Sequence, residues 1–161
     1  MIYGVWLRWG LLYIGQTSEA ERRLRDLAVG ESHHLANTFP PEIWHKVVVL
    51  TWPELPEAQS LVGTLDSKTV GLALEFALQE QLSPVVNSER RRPDGGWRDV
   101  VRQGSTSRGA LAAPKVVDLV QAVRRLWDAT PSRPTEEAEA LQACRVVFPE
   151  QLLLQPQPPV P

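Results

Sequence analysis

A chain of 161 residues, 43% hydrophobic and 22% charged, holds enough apolar material for one packed core and is ordinary in its charge content. Its single cysteine, Cys144, excludes an intramolecular disulfide and a CxxC zinc site, and a net charge of −2 argues against a general nucleic-acid coat. No apolar run nears the roughly 20 residues of a membrane span, and no charged leader precedes an apolar stretch, so a cytoplasmic protein without a membrane partner is expected. Along the chain, residues 2–7 and 11–16 are β-rich and flank Trp9-Gly10, which predicts an antiparallel hairpin. Ser18 and Glu21 have capping-box spacing. They open a helix expected over 19–29, with Leu24, Leu27 and Ala28 as its buried stripe and Gly30 as its stop. Residues 31–42 read as a loop, and 43–50 as a strand buried in its second half. A helix over 57–65 follows. A stronger one over 69–82 has an apolar face of Leu72, Phe76 and Leu82, widened by Ala73, Ala77 and Leu78, and Pro84 ends it.

Residues 88–114 read as loop-rich, and 116–127 as an amphipathic helix with Val116, Val117, Val120, Val123, Leu126 and Trp127 as apolar contacts. A further helix is expected over 135–143. The Pro-rich end cannot continue helix or sheet and reads as extended. Three parts result: a domain over 1–90, a loop-rich basic segment with helices over 91–150, and a tail over 151–161. Charge is uneven among them. Residues 1–87 hold six Lys/Arg against ten Asp/Glu, whereas 88–133 hold ten against five. A basic middle serves either as a phosphate-facing strip or as a solvated surface. The expected fold is a small α/β (α+β) domain: a short, mostly antiparallel central sheet flanked by helices, with a helical C-terminal extension.

The chain has two tyrosines, Tyr3 and Tyr13, both in its first hairpin. Pairing about residue 8 places them opposite each other on one sheet face. Taken alone, such a pair is more often packing than catalysis. Arg23 alone reads as a surface helix residue. Glu75 is a sharper anomaly, because Leu72, Leu74, Phe76 and Leu78 surround it. A carboxylate there is either at an exposed helix edge or kept for a cation.

The order of these residues resembles the GIY-YIG nuclease family. Tyr13-Ile14-Gly15 is an intact YIG. Two segments compete for the first motif. Gly4-Val5-Trp6 leaves six residues before YIG, whereas Met1-Ile2-Tyr3 leaves nine, which matches compact members of the family. The second alignment is preferred, since it puts Tyr3 at the motif tyrosine and Trp6 cannot transfer a proton. Arg23 lies eight residues after Gly15, and Glu75 precedes Pro84 by nine and Asn87 by twelve. That pattern is similar to the N-terminal nuclease domain of the bacterial excision-repair incision subunit. The resemblance covers roughly residues 1–90.

The resemblance implies a divalent-metal-dependent DNA endonuclease that hydrolyses phosphodiester bonds. Tyr3, Tyr13, Arg23 and Glu75 are its implied catalytic residues. Glu75 would hold one Mg²⁺ or Mn²⁺, and Gly15 and Asn87 would support the site. The chemistry is coherent without the name. Phosphodiester hydrolysis needs an activated water, a stabilised leaving oxygen and neutralised phosphoryl oxygens. A carboxylate suits a hard, hydrated cation, a guanidinium suits the non-bridging oxygens, and a phenol serves as base if the metal and Arg23 lower its pKa. Two positions depart from the pattern. Met1 stands where the family has Gly, and Leu27 where many members carry His or Tyr. His33 or His34, in the following loop, is the expected replacement. Arg22, Lys46, Arg90, Arg91, Arg92 and Arg98 are candidate nucleic-acid contacts. The C-terminal helices offer a surface for a second copy or a partner protein. The departures also motivate an alternative: a catalytically weak or inactive module of this fold that binds DNA or a protein.

Overall fold

The computed structural model describes residues 1–19, 22–23, 35, 39–61, 63–86, 89–91, 97–99, 104–133 and 143–149. The expected helices over 19–29 and 135–143 fall largely outside these, with residues 22 and 23 helical. The first hairpin pairs β1 (Ile2–Leu7) with β2 (Gly10–Gln16). Strand β3 (Lys46–Leu50) pairs antiparallel with the other side of β1. Strand β6 (Cys144–Val147) pairs antiparallel with β3 and completes a four-stranded sheet ordered β2-β1-β3-β6. A separate two-stranded ribbon joins β4 (Glu89–Arg91) to β5 (Trp97–Asp99). The result is a small α+β fold with an antiparallel central sheet. Among the described residues no helix is long and apolar enough to cross a membrane.

Helix α1 (Pro56–Gln59) is one turn long, shorter than the 57–65 span expected. Helix α2 (Ser67–Leu82) is the main layer on the sheet. Asp66 caps it, accepting from Thr69 N at 3.0 Å and from Thr69 Oγ1 at 2.6 Å, which satisfies one of the orphan donors of its first turn. Its buried apolar side chains are Val70, Ala73, Leu74, Ala77 and Leu78. The expected stripe through Leu72 and Phe76 is therefore rotated, and both are only partly buried. Helix α3 (Arg108–Ala112) packs against α2 so closely that a Cβ on Gly109 would overlap the Leu72 carbonyl oxygen. Within the span read as loop-rich, 88–114, the described residues include β4, β5 and α3.

Helix α4 (Val117–Asp128) packs with Leu119, Val120, Ala122, Val123 and Trp127, while Val117 is 46% exposed and not a core contact. Ile2, Ile14, Val48 and Leu50 of the sheet, the buried residues of α2 and α4, and Cys144 form one continuous core. The expected boundary near residue 90 therefore does not divide the core. Residues beyond 100 supply both a helix of the main layer and an edge strand. The opposite sheet face carries a second cluster of Tyr3, Val5, Leu7, Tyr13, Leu35, Trp44, Val47 and Val49. Alternation along β1 sends odd residues to this cluster and Ile2 and Trp6 to the first.

Candidate active site

The site begins with a departure from ideal pairing. Tyr3 pairs with Gly15, and Val5 with Tyr13, and a bulge between Val5 and Trp6 shifts the register. The tyrosines are therefore diagonal neighbours on one face rather than directly opposite, which corrects the expectation. Their ring centroids lie 6.0 Å apart at an interplanar angle of 35°. Gly15 makes this possible. A Cβ at that position would overlap the Tyr3 phenol oxygen and crowd the Tyr13 ring. The small residue of YIG is a seat for the other tyrosine.

Both phenols are buried: Tyr3 is fully enclosed and Tyr13 is 8% exposed. Arg23 Nε donates to Tyr3 Oη at 3.3 Å. Burial raises the Tyr3 phenol above its ordinary pKa, and the hydrogen bond and charge of Arg23 only partly oppose it. Tyr13 is raised as well, by burial, then by the neighbouring phenol and the Glu75 carboxylate. Both phenols therefore stay protonated at neutral pH. Arg23 by itself therefore does not lower either phenol below its ordinary value, because desolvation outweighs the guanidinium. Arg23 itself is held more firmly charged: burial disfavours its charge, but the two phenols more than compensate.

Glu75 stands on α2, half-buried between the buried Leu74 and Leu78. Gln79, one turn on, donates to Glu75 Oε1 at 3.3 Å and to Ile14 O at 3.1 Å. One amide thus anchors the helix to the edge strand and orients the carboxylate. Nothing in the motif signalled Gln79, though its i+4 spacing from Glu75 could have. The Glu75 charge disfavours ionisation of both phenols, so the four motif residues share one electrostatic neighbourhood. As for a metal, no group of three or more His, Cys, Asp or Glu is present among the described residues. The donor chemistry instead suits a mostly hydrated ion on one carboxylate, with phenol oxygens nearby.

The remaining predicted residues divide. Arg22 is exposed and forms an ion pair with Glu19 at 2.5 Å. Lys46 is corrected as a phosphate contact. It pairs with Trp6, so it lies on the sheet face opposite the tyrosines. Its ammonium is buried, donating to Thr130 Oγ1 at 2.7 Å and to the Thr130 and Pro131 carbonyls at 3.4 Å. It also sits 5.4 Å from the centre of the Trp6 ring. Arg90, Arg91 and Arg98 belong to the β4–β5 ribbon. Leu27, His33, His34, Asn87 and Arg92 lie outside the described residues. Against known proteins, no family model, curated protein or solved structure matches this chain.

Proposed function

We propose that this chain is a divalent-metal-dependent DNA endonuclease of the GIY-YIG type. The observation that carries the reading is the convergence of Tyr3, Tyr13, Arg23 and Glu75, from four sequence positions, on one patch beside the edge strand. A buried phenol pair that meets a guanidinium within the field of a carboxylate is a poor choice for packing alone. It is a sound choice for orienting a charged ester.

In this reading Arg23 neutralises the non-bridging oxygens, its charge reinforced by the phenols around it. Tyr13, partly reachable at the patch, donates a hydrogen bond to a phosphoryl oxygen or fixes the attacking water, while the enclosed Tyr3 accepts from Arg23 and holds its guanidinium in place. Glu75, oriented by Gln79, would hold Mg²⁺ or Mn²⁺. When bound, such an ion supplies Lewis acidity toward the phosphate and stabilises the leaving oxygen. Gly15 keeps the phenols seated.

The test is nicking of supercoiled plasmid in Mg²⁺ or Mn²⁺ by wild type and by Glu75→Ala. Wild type is expected to nick and the variant to lose activity by about 10²–10³-fold, the usual cost of one group that stabilises developing charge. Equal cleavage by both proteins, or none by wild type, would overturn the reading. DNA binding without cleavage would leave a binding module.

A further inference from the structure

The hairpin that carries both tyrosines ends in a turn whose side chains belong to neither core cluster. Leu7 pairs with Gly10, so Arg8 and Trp9 alone make the loop. Two-residue hairpin loops favour Asn, Asp and Gly, which accept a positive φ. Neither Arg8 nor Trp9 has one, so turn geometry gives no reason for a tryptophan here. Packing gives none either. Trp44, Trp52 and Trp127 are each at most 6% exposed, whereas Trp9 is 69% exposed. Tryptophan is highly buried on average, and an indole held out in water is well suited to a contact made on binding.

The residues around the turn extend this surface. Ile43, also exposed, lies two residues before His45, whose N–H donates to Trp6 O at 2.7 Å. Val85, exposed as well, donates its N–H to Leu11 O at 3.2 Å. Apolar side chains therefore stand on both sides of the turn, one toward β3 and one along the outer edge of β2. The exposed charges there, Arg8 beside Trp9 and Glu42 beside Ile43, are opposite in sign. The attraction of the tip is thus aromatic and apolar rather than ionic. The tip is also within reach of the tyrosine patch. Trp9 and Tyr13 are four residues apart, at most about 14 Å of strand. That is about four nucleotide steps at a rise of ~3.4 Å.

We infer that Trp9 stacks on an unpaired base of the strand whose phosphate lies at the tyrosine patch, so that the chain selects single-stranded or locally unpaired DNA. The inference rests on the reading that this chain works on DNA and adds the form of DNA it takes. A base inside a duplex already has both faces stacked on its neighbours. An indole on a narrow turn reaches a base face only where pairing is open. Such stacking needs one aromatic ring and tolerates any base. A stable protein partner needs about 800 Å² on each side, far more than one indole and two aliphatic side chains present.

The experiment measures the affinity of the full chain for a short labelled single strand and for the blunt duplex of the same sequence, in EDTA over a salt series. Trp9→Ala should weaken single-strand binding by about 5- to 150-fold, the usual worth of one stacked base, and leave duplex binding at the wild-type value. The slope of log affinity against log salt should stay the same, because no phosphate contact is lost. Trp9→Phe should keep most of the affinity. Trp9→Leu, apolar but without a ring face, should fall with Trp9→Ala. The position is an exposed turn, so the urea midpoints of all three variants should match wild type. Wild-type affinity in Trp9→Leu, an equal loss on both DNA forms, or no single-strand binding by wild type would overturn the inference. So would a wild-type dimer that Trp9→Ala dissociates while DNA affinity stays unchanged. Plasmid nicking in Mg²⁺, run in parallel, separates the two readings. Glu75-dependent nicking with Trp9-independent binding would sink the stacking alone. Trp9-dependent binding without nicking would sink the nuclease reading alone.

Discussion

Arg23 and Lys46 are cations set beside aromatic rings, one with the tyrosine face of the sheet and one with the tryptophan face. Arg23 meets a phenol across a long 3.3 Å contact, on a patch that includes a second phenol and a carboxylate. Lys46 is enclosed by a hydroxyl and two carbonyls and lies near the Trp6 ring, which itself meets Trp127 edge-on at 5.2 Å. The oxygens that accept from Lys46 belong to Thr130 and Pro131, just past the end of α4. Its hydrogen bonds tie that segment to the sheet. Arg23 shares its patch with two phenols and a carboxylate, whereas the groups that accept from Lys46 are one hydroxyl and two backbone carbonyls. What separates a candidate site from a structural tie is the chemistry of the neighbours, not the charge of the cation.

The comparison can be broken at either end, and the largest effect belongs to the tyrosine face. Arg23→Ala should slow plasmid nicking by about 10²–10³-fold, read from initial rates at saturating DNA. Gly15→Ala comes next. Its Cβ has no room beneath the phenol, so the hairpin should lose about 1–3 kcal/mol of stability, seen as a lower urea midpoint at unchanged m-value. Nicking should fall with it at temperatures where the variant is still folded. Lys46→Met should cost about 1–2 kcal/mol, because the two carbonyls lose their donor, while the nicking rate stays at the wild-type value.

The smallest effect is a difference in pH dependence. The phenols are raised above their ordinary value near 10. Above about pH 10 the unfolded chain therefore releases protons that the folded chain keeps, and stability falls as pH rises. Lys46 is depressed by burial from its ordinary 10.5. Between its folded value and 10.5 the folded chain gives up the proton first, so stability rises with pH over that window. Tyr3→Phe should flatten the alkaline loss, and Lys46→Met should steepen it. Urea midpoints from pH 8 to 11 measure both. At the acid end Asp66 is lowered to about 2, chiefly by Thr69 and then by Arg108. Its N-cap contribution should be lost as pH falls below about 4.

These two clusters also mark how far the sequence could be read. The hairpin, α2 and α4 are local patterns, and turn chemistry and apolar periodicity identify them. The ordered set Tyr3, Tyr13-Ile14-Gly15, Arg23 and Glu75 is likewise visible as spacing. What spacing lacks is pairing between distant strands. The turn pairs Leu7 with Gly10 rather than centring on residue 8, and the bulge after Val5 shifts the register once more, which leaves the tyrosines diagonal on one face. The β1–β3 register put Lys46 on the far face. Strand β6 is four residues with an arginine among them, too short and too polar to declare itself before β3 is there to receive it. Burial, which decides that the phenols stay protonated, depends on all of these non-local contacts at once.

The most direct test sets Arg23→Ala and Lys46→Met beside wild type on one supercoiled plasmid in Mg²⁺, after each variant is shown to be folded. The account predicts that wild type and Lys46→Met nick at the same rate and that Arg23→Ala falls by about two orders of magnitude. Equal rates for all three, or equal losses in both variants, would contradict it.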